Sequence, residues 1–230
     1  LTTNEEKFKK LEKFIHETND KNLRILDQNS IFIKNINKAF QTKDIKGMVS
    51  SNDGRINATS LLKTLDKYLK NKKVKFLEKK IIKIRKLKSH WIATSKNNQE
   101  IKSEIIILCN SLDAIDLIDS LSHNIKLKPV LGQAIEIGVN DEEVDLLSLP
   151  KQLNIDGKNI IPISKDKLII GSTDEYSTKP ENDIFEKLTN FLDKKPSWLM
   201  KGQILKKWFG IRSRPDGEPS PIMKNLENGL

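Results

Sequence analysis

Three extended pieces in the second half of the chain, each bordered by Gly or Pro, constrain its fold most. They read KPVLGQAIEI, IIPISKDKLIIGSTDE and WFGIRSRPDGEPSPI. β-Branched and aromatic residues fit a pleated, half-buried surface, while Gly and Pro mark strand edges and turns. In the middle piece, Lys165 and Asp166 separate two apolar runs and predict a hairpin. Strands and helices alternate elsewhere without regular βαβ units. The whole predicts an α+β fold with a sizeable, mostly antiparallel sheet.

The first half is more helical. Phe8, Leu11 and Ile15 share one helical face, with Thr3 and Glu6 spaced as a capping box. Phe32, Ile36 and Phe40 recur one turn apart in a second helix. Residues 47–57 read as strand, Asn-Asp-Gly turn and strand start. Residues 58–71 form the most regular pattern, with Leu61, Leu62, Leu65, Tyr68 and Leu69 on one stripe. Strands are expected from Val74 and from His90. Ile105 to Cys109 are consecutive apolar residues, which predicts a strand covered on both faces. A short helix follows at Asp113, and another covers residues 181–195 before Pro196.

Composition narrows the function. The 230 residues carry a net charge of +10, yet the 36 lysines are spread along the chain beside only five arginines. Aromatics are 6% and fall in apolar patterns, so no nucleic-acid groove is expected. The longest apolar stretch, Ile105–Cys109, is far too short to span a bilayer. His16, His90 and His123 are scattered and lack cysteine companions, so no metal site is expected. One cysteine, Cys109, excludes an internal disulfide framework. It reads as a buried thiol in a reducing, cytoplasmic setting. An oligomer is compatible with the sequence. The first residue is Leu1, which points to a chain cut from a longer one.

Several short motifs lie in a fixed order: Pro129, Gly132 and Gln133; Pro162 with Gly171, Ser172 and Thr173; then Trp208, Gly210, Arg212, Asp216, Gly217 and Pro219. Ahead of them stand DGRINATSLLKTLDKYLKNKKVKFLEKKIIKI and SEIIILCNSLDA. From about Leu23 to Leu230 this arrangement resembles the D-amino acid oxidase and glycine oxidase family of flavin-dependent oxidoreductases. The resemblance implies FAD as cofactor and an amino acid or secondary amine as substrate. It implies partial flavin-binding structure within residues 1–125, including strands over 74–109. An antiparallel-sheet substrate domain would occupy residues 126–230. The family's opening G-x-G-x-x-G, which lets backbone approach a pyrophosphate, has no counterpart, since no two glycines here lie two residues apart. The chain is therefore expected to be truncated at both ends and to bind no FAD by itself.

By the resemblance, Arg212 corresponds to the carboxylate-binding arginine. A guanidinium matches a carboxylate with two parallel N–H···O bonds, which a lysine cannot do. Arg214 is expected on the opposite face, in a structural role. Asn159 stands near the place where relatives carry a substrate-capping tyrosine. Ile81 or Ile82 aligns with a flavin-contacting aliphatic residue. Cys109, Asn110 and Ser111 occupy the flavin-facing turn, with Ser111 where the family has glycine, so its Cβ is expected to crowd the cofactor. No catalytic acid or base is required, since hydride leaves a neutral amine. Three other readings stay open: a flavoenzyme for a hydroxy acid or phosphorylated alcohol, a fold without turnover, and a non-catalytic basic binding module.

Overall fold

The computed structural model describes all residues except 120, 122, 124, 141–143, 193, 218–220 and 227–228. Pro219 of the last motif therefore lies outside the described residues. The chain divides into two compact units that interleave in sequence. One comprises Leu1–Asn57, Gly132–Asp174 and Lys179–Gly210; the other comprises Ala58–Leu131, Glu175–Thr178 and Ile211–Leu230.

The first unit is built on an antiparallel sheet. Its strands are β6 (Leu127–Gly138), β7 (Leu153–Ile155), β8 (Lys158–Ser164), β9 (Lys167–Gly171) and β10 (Gln203–Pro215), in the order β10-β6-β9-β8-β7. Residues 127–131 of β6 and 211–215 of β10 count with the second unit. The predicted hairpin is present: β8 pairs β9 through the Lys165-Asp166 turn, with Ile160 opposite Ile170. Alternation sends Ile135, Ile137, Ile160, Leu168 and Ile170 into the core, each essentially fully buried. Against this face pack α2 (Ile31–Phe40), α5 (Ile184–Thr189) and α6 (Ser197–Met200). The opposite face presents Ala134, Glu136, Asn159, Ile161, Ile169 and Gly171.

Several local expectations are corrected. α2 turns Ile33, Ile36, Ala39 and Phe40 inward, whereas Phe32, in the first turn of the helix, is exposed. Helix α1 (Glu5–Thr18) is capped by Asn4, whose side chain accepts from the Lys7 amide at 3.0 Å, rather than by Thr3. The strand β2 (Met48–Ser50) pairs with β1 (Leu23–Ile25), not with a strand after Asn-Asp-Gly. α6 went unforeseen. Its four residues carry Trp198, which donates to the Ala39 carbonyl at 2.6 Å and meets Phe40 edge-on.

The second unit holds α3 (Ala58–Asn71), a meander of β3 (Ile81–Lys86), β4 (Trp91–Ser95) and β5 (Glu100–Ser103), and α4 (Ala114–Asp119). Residues 74–80 and 104–109 are not strands, contrary to expectation. A strand needs a ladder partner. From the apolar run Ile105–Cys109 the Ile106 amide donates to the Gly229 carbonyl at 2.8 Å, with no strand beside it among the described residues. Ile105 and Ile107 are accordingly 65% and 80% exposed, and Cys109 is exposed rather than buried. No residue of α3 is buried, so its apolar stripe faces outward.

Candidate functional site

Within the second unit, residues 104–109, the turn at Ser111, helix α4, the end of β10 and residues 221–226 and 229–230 line a cavity of about 1070 Å³. Its walls are largely aliphatic: Ile106, Leu108, Ile118, Ile125, Leu127 and Ile222 line it. Gly229 holds one wall. Its φ is +85°, and a Cβ there would stand 2.6 Å from the Glu104 carbonyl oxygen and 3.1 Å from Trp91 Nε1. Only glycine satisfies both the dihedral and the space. Beneath it Trp91 is 1% exposed, and its ring carries Lys86 Nζ at 5.2 Å.

Two of the expected cofactor residues, Cys109 and Ser111, line this cavity. Asn110 precedes the 3₁₀ turn Ser111–Asp113 as its N-cap residue without a side-chain cap bond, and it does not line the cavity. Ser111 has φ +58°, the left-handed region that glycine enters freely and a side chain enters at a cost of about 1–2 kcal/mol. The backbone thus keeps a conformation suited to glycine while carrying a serine. Ile81 and Ile82 start β3 and are absent from the lining; Ile82 is 48% exposed.

Ser213 and Pro215 of β10 line the cavity, whereas Arg212 and Arg214 do not. Two residues apart on one strand, the two arginines share a face, which corrects the expectation that they oppose each other. Arg212 is exposed, Arg214 half-buried, and both have partners. The turn after them is fixed by Lys128 Nζ and Asp216 Oδ1 at 2.8 Å, and this pairing raises the Lys128 pKa. In the first unit, Asn159 sits on β8 opposite Asn154 and Gly171, and its Oδ1 accepts from Asn154 Nδ2 at 3.1 Å.

Gln133, Thr173 and Gly171 of the motifs hold the sheet of the first unit together. The Gln133 amide donates to Thr173 Oγ1 at 2.9 Å, and the Thr173 amide donates back to the Gln133 carbonyl at 3.1 Å. Gln133 Oε1 also accepts from the Glu181 amide at 3.1 Å. Gly171 lets β9 approach Ala134 so closely that a Cβ would lie 2.5 Å from the alanine Cβ. Arg55, missed by the sequence reading, donates to the carbonyls of Pro162 at 3.0 Å and Lys151 at 3.3 Å. Its Asn-Asp-Gly-Arg context reads only as a turn, with no signal for that anchoring.

Residues 1–230, the entire chain, match the family described as FAD dependent oxidoreductase, DAO. The chain belongs to this family. Solved structures with the same fold include glycine oxidase from Geobacillus kaustophilus, at 17% identity and a TM-score of 0.81 over 99% of this chain and 61% of that one. Glycine oxidase from Bacillus cereus matches at 13% identity and 0.75, over 93% and 58%. L-Proline dehydrogenase from P. horikoshii matches at 12% and 0.76, over 100% and 63%. This DAO-family chain thus spans about three fifths of the length of those relatives. No curated protein matches the sequence. Among the described residues no cluster of metal-ligating side chains occurs, and no helix is long and apolar enough to cross a membrane.

The cavity's donor set suits part of FAD. Aliphatic walls with a few hydroxyl and backbone groups fit a flat, mostly apolar ring. No glycine pair at the spacing of a pyrophosphate cradle exists in the sequence.

Proposed function

We propose that this chain is the central part of an FAD-dependent oxidoreductase that oxidises an amino acid or secondary amine to its imine. The carrying observation is the apolar cavity built on the Cys109–Ser111 turn in a chain matched to the family throughout its length. Residues 1–125 would contribute flavin contacts and residues 126–230 the substrate side. Cys109, Asn110 and Ser111 would hold the ring, with Ile81 or Ile82 nearer the adenine end. When bound, FAD supplies the acceptor for the hydride leaving the carbon beside the amine, and dioxygen serves as final acceptor.

The chain's own part is orientation. Arg212 would grip the substrate carboxylate through its two-point fork. It lies on the edge strand β10 and is exposed, on the face opposite to that of the cavity-lining Ser213. Asn159 would offer its amide to the substrate. The reaction needs an amine already deprotonated, so no acid or base is assigned. The substrate is a small molecule, and the setting would be the cytoplasm.

The test uses the polypeptide that carries this chain, loaded with FAD and kept anaerobic. Amino acids should bleach the oxidised-flavin absorbance, and hydroxy acids or phosphorylated alcohols should not. Reduction by a hydroxy acid alone would assign the enzyme to the other substrate class, and the absence of bound flavin would remove the proposal.

A further inference from the structure

Helix α3 turns its apolar stripe to water. The helical period sets Leu61, Leu62, Leu65, Tyr68 and Leu69 on one arc, yet no residue of the helix is buried. Leu62 is 66% exposed and Tyr68 55%. Exposed apolar side chains continue after the helix at Val74, Phe76 and Leu77. A row of this kind marks an interaction surface.

Charge narrows the partner. Residues 58–80 hold eight lysines, no arginine and only two acids, Asp66 and Glu78, a net charge of +6. All eight lysines are exposed. Lys63, Lys67 and Lys70 fall on the arc opposite the stripe, and Lys72 Nζ stands beside it, 5.6 Å from the Tyr68 ring centroid. Protein interfaces enrich arginine and deplete lysine, and single-stranded nucleic acid is held by stacking aromatics with arginine. Ammonium groups on flexible stems, without a fixed fork, suit a diffuse negative surface instead. An apolar arc backed by lysines is the pattern of a helix lying in a lipid interface. At 14 residues the helix is too short to cross a bilayer, so it would lie along one.

We propose that α3 and residues 72–77 dock the protein on an anionic lipid surface. Leu61, Leu62, Leu65 and Tyr68 enter the headgroup boundary, and the lysines are drawn to the lipid phosphates.

The polypeptide that carries this chain is sedimented with vesicles of phosphatidylcholine and phosphatidylglycerol in equal parts, and with vesicles of phosphatidylcholine alone. The mixed vesicles should carry it down, the neutral ones should not, and binding should fall as salt is raised. Leu62→Gln keeps the charge and should weaken binding about tenfold, the loss for one leucine no longer buried in the interface. Lys72→Gln and Lys75→Gln should each weaken it about fivefold on the mixed vesicles. All three side chains are exposed, so the thermal midpoint should hold. No sedimentation with the mixed vesicles would overturn the proposal and assign the stripe to cover by flanking polypeptide. Binding that the lysine variants weaken but Leu62→Gln leaves intact would also overturn it, since a contact through charge alone, such as one to nucleic acid, behaves that way.

Discussion

Gly171→Ala tests the geometry on which the sheet of the first unit depends. Gly171 pairs with Ala134 across β9 and β6. A Cβ built on it falls 2.5 Å from the Ala134 Cβ, 3.1 Å from the Ala134 Cα and 3.3 Å from the Gln133 carbonyl oxygen. Carbon atoms in ordinary contact stand about 3.5–4.0 Å apart, so the strands must separate by roughly 1 Å. Two of the three obstructing atoms are backbone, which a rotamer change does not move. Overpacking of this kind costs about 1–3 kcal/mol. With a urea dependence near 2 kcal/mol/M, a loss of about 2 kcal/mol lowers the unfolding midpoint by about 1 M. Circular dichroism and tryptophan fluorescence read it, because Trp198 lies buried in the same unit. Ala134→Gly alone should cost about 0.5–1 kcal/mol. Combined with Gly171→Ala it removes the 2.5 Å clash, so the double variant should be more stable than the sum of the singles by about 1 kcal/mol. A neutral Gly171→Ala, or strict additivity, would refute the close approach.

Two further outcomes follow. Gly229→Ala should destabilise by about 1–3 kcal/mol through its positive φ and the Glu104 carbonyl, and should speed exchange of the Ile106 amide that bonds to Gly229. Hydrogen-exchange NMR reads that amide directly, and unchanged protection would count against the wall described. The Ser164 hydroxyl donates to Asp166 Oδ1 at 2.7 Å and holds this carboxyl below its ordinary pKa of 3.8. A depressed folded pKa adds stability above the unfolded value, and that stability fades as pH falls through the folded value. Ser164→Ala should therefore raise the Asp166 pKa toward 3.8, as measured by NMR titration of its carboxyl carbon.

The β8–β9 hairpin was legible because its signals are local: alternating Ile residues flank a polar two-residue turn. The apolar side of α2 is legible from its period, but the exposure of Phe32 is not, because position 32 falls on the same arc and only its place in the first turn leaves it outside the core. Ile105–Cys109 misled because ladder pairing is non-local; an apolar run becomes a strand only where a partner backbone meets it. Cys109 was misjudged with it. α6 is too short for a period to register, and the anchoring by Arg55 joins carbonyls about a hundred residues away. The glycine-to-serine departure at Ser111 was visible in sequence, but its left-handed φ was not.

Arg212 is proposed as the grip for an amino acid's carboxylate. The direct measurement is anaerobic flavin reduction in the FAD-loaded polypeptide carrying this chain, comparing the parent with Arg212→Lys and Arg212→Ala. Truncation is expected to weaken the apparent affinity for the amino acid, and lysine to restore little of it. Little discrimination between parent and variant is expected for an amine lacking the carboxylate. Equal amino-acid affinity in parent and variants would contradict this role.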